Sequence, residues 1–541
     1  MSILECFALI FPVAVYLVYR WCVGTYKYFA KRGVPFVKPQ PLIGGLWPVL
    51  CGDVLPLEAP TLGYYMFPKH RFSGYFMFRK PEYLIHDPAL AKQVMIKDFD
   101  YFTDHTTVVP MEVDPVIGRS LFFMDGQRWR HGRSGMSPAF TGSKMRNMFG
   151  LLSKYADGAV QRLVEDAGQK KLEMEMRDLF QKLGNDIITS ISFGLDIDSV
   201  HNPDSELFKR GKQLAGTTGF QGLKFFLLMT VPSSVFEFFG IRLITKEVAE
   251  FYLDIVRKTI KHREKNNIVR PDFIHLFMQA RNNELKEEKD KTDDQLESAG
   301  FTTVREHIES CTENSKYSDF GITAVVASFF FGSIETTSTV LCFAMHELAA
   351  NQDVQTKLQS EINLVEEELN GSPLTYEVLQ KMKYLDMVVS ETLRRWPPLA
   401  TTNRVCVKPY TLEDYNGTQV TIEKGQAIQI PIISYHHDPD IFPDPLRFDP
   451  ERFSDENKDN INRDAFLPFG SGPRNCIGSR LALMHIKSLL YYILANFSVE
   501  FSEKMELPLK LKKMSMTYSA ESGFWLNLVP NSEMLNGNLK N

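Results

Sequence analysis

One cysteine in the chain stands where thiolate chemistry is favoured. Cys476 lies in FLPFGSGPRNCIGSRLALMHIKSLL, residues 466–490, between a glycine-rich loop and an apolar stretch with helical spacing. A cysteine acts as a nucleophile or a metal ligand in its thiolate form, which needs a lowered pKa or a metal. The positive end of a helix dipole favours that anion. Gly472 and Gly478 can adopt positive φ and bring backbone N–H groups close to the sulfur.

Two neighbours of this cysteine narrow the chemistry that its thiolate could perform. Phe469 can lie against a planar group beside the sulfur, and Arg474 can point at an anion across that plane. These parts suit an axial thiolate ligand to haem iron, because the sulfur donates electron density to the metal. A buried structural cysteine in a turn is the alternative, and it is the commoner case for an isolated cysteine.

The spacing around the cysteine also matches a known signature. Residues 469–478, FGSGPRNCIG, fit the pattern F-x-x-G-x-R-x-C-x-G. The chain therefore resembles the cytochromes P-450, in particular animal microsomal enzymes of the insect family-nine type. The resemblance implies haem b bound through Cys476 and a mainly α fold with small β-sheets (α+β). Three further motifs stand in the family's order, so the match extends back to Trp129.

An acid and a base stand three residues apart in SETLRRWPP, residues 390–398. Glu391 and Arg394 share a helix face and can pair, although such pairs are common on surfaces and contribute little there. By resemblance they form the family's E-x-x-R motif, and Arg452 completes a structural Glu–Arg–Arg network. That network is expected to fix the segment that carries the cysteine loop and to do no chemistry itself.

A long apolar segment, residues 324–348, carries an acid and hydroxyls at its middle. Such groups are costly to bury without partners or a task, and threonine hydroxyls can bond to i−4 carbonyls and loosen a helix into a bulge. By resemblance, Glu335 and Thr336 relay protons to bound oxygen. Ser333 departs from the family pattern, which has glycine there. A polar core helix without a relay is the alternative.

Trp129 and Arg133 stand one helical turn apart in DGQRWRHGRSGMSPAF, residues 125–140. An indole N–H and a guanidinium at this spacing can both hold carboxylates. The resemblance implies that the carboxylates are haem propionates, and that Arg404 and Arg474 bind them as well. By spacing alone, an ordinary helix surface explains the pair equally well.

The implied reaction is monooxygenation of a lipophilic substrate, either a xenobiotic or an endogenous lipid or hormone, with O2. Substrate contacts are expected from Phe330, Phe331, Ile334 and Thr401, and from residues 108–123, 399–402 and 518–523. Electrons are expected from NADPH through a cytochrome P-450 reductase, with cytochrome b5 as a second donor. A basic cluster could steer an acidic flavin domain or simply face solvent; its members are Arg128, Arg130, His131, Arg133, Lys144 and Arg146.

Three rival functions are weighed against this expectation. A haem isomerase, dehydratase or synthase of the same fold often alters the acid–threonine pair, which is intact here at Glu335 and Thr336. A non-enzymatic binding protein is disfavoured for the same reason. A cysteine hydrolase needs a base beside the thiol, and His485 lies nine residues along the helix from Cys476.

The chain length, net charge and cysteine count fit a globular enzyme. The 541 residues carry a formal net charge of −5, which gives no case for nucleic acid as a partner. Seven cysteines without CxxC spacing disfavour a disulfide framework and favour a reducing compartment.

The termini predict how the body is attached and where it resides. Residues 1–23 are expected to be a membrane anchor, since the apolar run is followed by basic residues that the positive-inside rule leaves in the cytosol. A cleaved signal peptide and a buried helix are the alternatives. Residues 24–45 are then a basic, proline-rich linker, 46–530 the catalytic domain on the cytoplasmic face, and 531–541 a frayed tail. The resemblance to the microsomal enzymes implies that the membrane is that of the endoplasmic reticulum. The apolar segment 219–244 is expected either to dip into membrane lipid or to form a buried helix pair. The charged segment 282–319 is expected to be an exposed connection or a solvated helix.

Overall fold

The computed structural model describes most of the chain. The described residues are 3–56, 58–106, 109–215, 224, 227, 233–282, 284–285, 300–302, 317–513, 515 and 517–531. The helices among them are α1 (Ile3–Val23), α2 (Trp47–Cys51), α3 (Leu62–Met66), α4 (Pro88–Lys92), α5 (Gly126–Met136), α6 (Gly142–Ala167), α7 (Met176–Phe193), α8 (Glu206–Ala215), α9 (Ser233–Phe239), α10 (Lys246–Asn266), α11 (Phe273–Arg281), α12 (Asp319–Ala350), α13 (Gln352–Leu369), α14 (Tyr376–Lys381), α15 (Lys383–Arg395), α16 (Ile432–His436) and α17 (Ser479–Asn496).

The strands form three small sheets. They are β1 (Phe72–Met77), β2 (Lys80–Ile85), β3 (Leu172–Glu175), β4 (Thr402–Val405), β5 (Tyr410–Glu413), β6 (Gln419–Ile422), β7 (Ala427–Ile430), β8 (Phe497–Phe501) and β9 (Trp525–Pro530). The sheets have the orders β1-β2-β7-β4, β3-β9-β8 and β5-β6, and β2 with β7 is the parallel pair among them. The mainly helical body with small sheets confirms the fold class predicted from the sequence.

One long helix, α12, runs through the core. It begins after Ser318, whose hydroxyl accepts a hydrogen bond from the backbone N–H of Gly321 at 3.1 Å. It is the one described helix that is long and apolar enough to cross a membrane, but most of its apolar side chains are buried in the body. By contrast, the apolar side chains of α1 from Phe11 to Trp21 are exposed.

The proline-rich stretch after α1 packs onto the first sheet. Phe29 is fully buried, with its ring centroid 5.1 Å from that of Phe76 and 5.2 Å from that of Tyr83. Phe36 pairs with Gly74 of β1, and a Cβ on Gly74 would lie 2.5 Å from the Phe29 ring. These contacts hold the stretch rigidly against the sheet, so it is more than a free spacer. The domain boundaries at residues 23, 45 and 530 stay predictions.

Several expectations fall on residues that the structure does not describe. They concern residues 219–223, 225–226 and 228–232 of segment 219–244, most of segments 282–319 and 531–541, and residue 108 of the 108–123 loop.

Buried neutral histidines predict that acid destabilises the fold. Burial lowers the pKa of His485 to about 4, and its Nε2 atom has no hydrogen-bond partner among the described residues. Burial also lowers the pKa values of His86, His105, His346, His436 and His437. The unfolded chain binds these protons from about pH 6.5 downward whereas the folded chain does not, so stability should fall as pH drops through this window.

A single substitution can test this expectation. His485→Leu should raise the melting midpoint at pH 5 more than at pH 7.5, because His485 alone contributes up to about 3 kcal/mol of acid sensitivity. Circular dichroism melts at the two pH values measure the difference. His262→Leu, which changes an exposed histidine of α10, should leave the pH dependence as in the wild type. Equal pH dependence in all three proteins would contradict the assignment.

Candidate active site around Cys476

The cysteine loop (residues 466–478) takes its shape from two glycines. Gly470 and Gly472 have φ values of 70° and 73°, a conformation that residues with side chains rarely adopt. A Cβ on Gly472 would lie 2.0 Å from the carbonyl oxygen of Met95, so packing as well as φ requires glycine there. Gly478 does not have the expected positive φ. Its φ is −92°, and it is the residue that precedes α17.

The thiol of Cys476 projects from a loop whose neighbouring residues are buried. Arg474 and Asn475 are buried, whereas Cys476 is exposed. The backbone N–H of Cys476 donates to the carbonyl oxygen of Phe469 at 2.9 Å, which closes the loop into a tight turn. The turn thus presents sulfur on a rigid support just before the N-terminus of α17.

Arg133 of α5 holds the residue next to the cysteine. Its guanidinium donates to the carbonyl oxygen of Asn475 at 2.9 Å and to the Oδ1 atom of the same residue at 2.6 Å. Two bonds to one neighbour fix both the backbone and the side chain there. Arg133 therefore positions the cysteine loop, a role that the sequence analysis did not assign to it.

Arg474 lies over the ring of Trp129, the other half of the W-x-x-x-R pair. The guanidinium carbon is 4.2 Å from the ring centroid. Its nitrogens donate to the carbonyl oxygens of Thr103, Leu121 and Met124 at 2.7, 3.1 and 2.9 Å. Burial, with a smaller contribution from the nearby Arg404 cation, lowers the pKa of Arg474 to about 9. Burial destabilises the charged form of this arginine, and a nearby anion would stabilise it.

Arg404 is a second buried cation near Arg474. It donates to the carbonyl oxygen of Asn403 at 2.7 Å, and its Nε atom has no partner among the described residues. Burial lowers its pKa to about 10. His105, which no sequence signal marked, is buried beside both arginines, and its Nδ1 atom lies 3.0 Å from the same carbonyl oxygen. Burial and then repulsion from Arg404 and Arg474 lower the pKa of His105 well below its ordinary value.

This donor set fits the group that the sequence motif implies. Asp104, at 3.7 Å from Arg474, is the nearest described carboxylate to the cluster and is too distant for a strong pair. Buried cations are stable only when paired. A planar ring with carboxylates, bound through its metal to the exposed thiol of Cys476, would supply those anions. The residues therefore fit a thiolate-ligated haem with propionate side chains.

The E-x-x-R residues form a fully buried ion pair. Nε and Nη2 of Arg394 donate to the two carboxylate oxygens of Glu391 at 2.7 and 2.8 Å. Glu391 also accepts from the backbone N–H of Asp449 at 2.9 Å and lies 3.5 Å from Nε of Arg452. Further donations from the two arginines go to the carbonyl oxygens of His436, Pro443, Asp444 and Pro445. The network thus ties α15 to the segment that leads into the cysteine loop.

His436, which the sequence analysis missed, links that network to the loop. Its Nδ1 atom lies 2.9 Å from the carbonyl oxygen of Arg394, and its Nε2 atom accepts from the backbone N–H of Leu467 at 3.0 Å. Burial, repulsion from Arg394 and repulsion from His437 lower its pKa well below the ordinary value, so it stays neutral and can accept. No residue spacing marks this role, because it arises from contacts across 31 residues.

Glu335 of α12 is held by donors from two other parts of the chain. Its carboxylate pairs with the guanidinium of Arg177 and accepts from Gln181 at 3.1 Å, both on α7. The hydroxyl of Thr517, near the C-terminal strand, donates to it at 3.0 Å. None of these three partners carries a sequence signal, because their approach depends on how α7 packs on α12.

The hydroxyls of α12 bond back to the helix without breaking it. Thr336 donates to the carbonyl oxygen of Gly332 at 2.8 Å, and Thr337 donates to that of Ser333 at the same distance. The helix is continuous from Asp319 to Ala350, so the expected bulge is not formed. The Ser333 hydroxyl lies 3.5 Å from the carbonyl oxygen of Phe330, at the limit of hydrogen bonding.

The side chains of α12 divide between packing and an open face. Phe330 is fully buried, with ring centroids 6.0 Å from Phe193 and 6.2 Å from Tyr252, and it touches Gly211 of α8. These neighbours lie on three other helices, so Phe330 packs between helices, and its contact with substrate stays a prediction. Ile334 is buried as well.

The open face of the same helix surrounds Gly332. This residue is exposed at the middle of a buried helix, and a Cβ there would meet nothing within 4 Å. Phe331 is partly buried, with its ring centroid 6.2 Å from that of Phe123. Thr336 and Thr401 are also partly exposed. Open space thus adjoins the middle of α12 at Gly332.

Comparison with known proteins places this geometry in context. The family model described as cytochrome P-450 matches residues 65–526. Cytochrome P-450 9e2 of Blattella germanica is 39% identical over 540 residues, which cover 96% of this chain and 97% of that protein. Two proteins of Drosophila melanogaster are also similar: probable cytochrome P-450 9f2 is 37% identical, covering 97% and 99% of the two chains, and cytochrome P-450 9b2 is 36% identical, covering 98% and 100%.

Proposed function

Because this chain belongs to the cytochrome P-450 family of haem-thiolate monooxygenases, we propose that it oxygenates lipophilic small molecules with electrons passed from NADPH through a reductase. The observation that carries the proposal is the exposed thiol of Cys476 near Arg404 and Arg474, two buried cations without a close carboxylate among the described residues. The haem of this family supplies oxygen activation when it is bound. The chain supplies the ligand, the anion-binding groups, the proton path and a dry pocket.

Each residue around the haem then has a separate task. Cys476 would supply the thiolate that binds the iron, and Phe469 would lie against the ring. Arg404, Arg474 and Trp129 would hold the propionates, while Arg133 fixes the loop through Asn475. The Glu391, Arg394 and Arg452 network is structural.

The proton path begins on α12. Thr336 presents its hydroxyl from the open face of the helix. Glu335 is the next residue toward the N-terminus, and the ion pair with Arg177 fixes its carboxylate. Phe331, Ile334 and Thr401 are the proposed substrate contacts, and the exposed backbone at Gly332 leaves room for the substrate. Phe330 packs behind them against Phe193 of α7 and Tyr252 of α10.

The remaining parts of the proposal concern location and partners. Residues 1–23 anchor the chain in the endoplasmic reticulum membrane, with the body on the cytoplasmic face, and the exposed apolar side chains of α1 support this. Cytochrome b5 is a second electron donor. The basic cluster is partly neutralised, since Arg128 pairs with Asp125 at 2.7 Å and Arg130 with Asp100 at 2.6 Å, so it steers a flavin domain only weakly.

Labelled oxygen gives the direct test of the reaction. The full-length protein in microsomes is incubated with NADPH, reductase, a panel of lipophilic compounds and isotopically labelled dioxygen. We expect NADPH-dependent products that carry one labelled atom. Products that form without NADPH, or without label, would contradict the proposal and indicate an isomerase or a dehydratase.

Removing Arg177 should impair the proton path. Arg177→Met leaves the Glu335 carboxylate with Gln181 and Thr517 as its donors among the described residues, so its position is less defined. We expect kcat to fall about tenfold, with KM nearly unchanged and with less product formed per NADPH consumed. Arg177→Lys, which keeps the cation, should restore most of the rate. If Arg177→Met lowers the melting midpoint but not the product yield per NADPH, the residue is structural only.

A further inference from the structure

Three described residues, Gly300 to Thr302, come from within the charged connection between α11 and α12. They lie against α15 and against the aromatic residues that lead into the cysteine loop. We infer that these residues, the 300–302 clasp, position the cysteine loop, and that Phe301 is a positioning residue for thiolate ligation by Cys476. The inference rests on the proposed function, since it concerns the ligand proposed there.

Buried polar contacts fix the backbone of the clasp. The N–H of Phe301 donates to Oδ2 of Asp386 at 3.0 Å, and the other oxygen of that carboxylate accepts from the buried Lys487 at 2.7 Å. The hydroxyl of Thr302 shares a hydrogen bond with that of Ser390 at 2.5 Å, and both residues are buried. Satisfied buried groups of this kind define one arrangement, because any shift leaves a charge or hydroxyl unpaired.

The clasp completes a small aromatic cluster that is separate from the main core. The Phe301 ring centroid is 5.0 Å from that of Phe453 and 5.4 Å from that of Phe466. Arg463 covers its outer face at 4.7 Å from the centroid. The buried members of the cluster are Met387, Phe442, Phe453 and Phe466, and Phe301 packs on them. A cluster of this size depends strongly on each ring.

Both supports of the cysteine loop pass through that cluster. Phe466 begins the loop and stacks on His436 at 5.4 Å between centroids, and His436 in turn accepts from the N–H of Leu467. Phe453 follows Arg452 directly and so belongs to the segment that contacts Glu391. A ring that touches both Phe453 and Phe466 therefore couples the ion-pair network to the start of the loop.

This role predicts a local failure that is separate from global unfolding. Without the Phe301 ring, Phe466 loses a packing neighbour and the cysteine loop can shift. The position of the Cys476 sulfur is then less well defined, while the main core stays packed. The expected signature is faster loss of thiolate ligation at an unchanged melting midpoint.

The test compares two rates in the haem-loaded full-length protein. We expect the red-shifted band of the reduced carbon monoxide complex to decay about tenfold faster in Phe301→Ala than in the wild type at mild temperature. Phe301→Leu should decay at an intermediate rate, because it keeps an apolar contact. Tyr415→Ala, which removes an exposed ring from the turn between β5 and β6, serves as the matched control and should decay at the wild-type rate.

A second substitution and a second readout separate the possible outcomes. If Phe301→Ala does not accumulate, Thr302→Val should still speed the decay severalfold by removing the bond to Ser390. Decay at the wild-type rate in Phe301→Ala or, failing that, in Thr302→Val overturns the inference and leaves the proposed function intact. A fall in the circular dichroism melting midpoint that matches the faster decay also overturns it, because the role would then be global stability. A wild-type protein that never forms the band overturns the proposed function, and the inference with it.

Discussion

A Cys476→Ala protein should lose the red-shifted band of the reduced carbon monoxide complex completely and retain no monooxygenase activity. The reason is that sulfur is the group proposed to bind the haem iron and to donate electron density to it. The thiol is exposed in the fold, so its removal leaves no buried cavity and the body should still fold. Absorption spectra and circular dichroism on the same sample measure ligand loss and folding separately.

The chain offers a matched control for this substitution. Cys51, at the end of α2, is also an exposed cysteine, and Cys51→Ala makes the same chemical change far from the cysteine loop. We expect it to keep both the band and the activity. A Cys476→Ala protein that retained the band would show that another residue binds the iron, and the ligand assignment would have to be withdrawn.

The second large effect is expected from the ion pair between α15 and the segment before the cysteine loop. Glu391→Ala leaves the guanidinium of Arg394 buried without its counter-charge, and both residues are fully buried. Removing one partner of such a pair costs about 3–5 kcal/mol. Since domains are stable by only about 5–15 kcal/mol, we expect a large fall in the melting midpoint and poor retention of haem. Thermal melts followed by circular dichroism measure this loss.

An exposed pair sets the scale for that comparison. Lys258 and Asp254 lie 2.7 Å apart on the surface of α10, where solvent screens their attraction. Asp254→Asn should change the stability by less than about 0.5 kcal/mol. If Glu391→Ala has an equally small effect, the buried network does not support the cysteine loop and its structural role is wrong.

The sequence predicted the parts of the site that are close together along the chain. Glycines at fixed distances from Cys476 and a helical i, i+3 pair at Glu391 and Arg394 are local patterns, so spacing reveals them. The open face of α12 at Gly332 was not predicted, because a helix that is apolar on most sides does not indicate which of its faces is open.

The residues that were missed act through contacts distant in sequence. Arg177 reaches Glu335 only because α7 packs along α12, and His105 joins the arginines because its loop crosses the site. His436 and Phe301 are similar cases, with partners on other segments. Composition gives no hint of them either: Phe301 lies in a charged, apolar-poor stretch that predicts an exposed connection.

The buried arginines near the cysteine loop have a consequence for how much of the protein a cell can maintain. The buried Arg404 and Arg474 cations repel each other, so bound anions stabilise the folded chain. A ligand that binds only the folded chain shifts the folding equilibrium toward it by mass action. Haem supply would thus govern the steady-state abundance of the polypeptide, since unliganded copies unfold more often and reach the proteases.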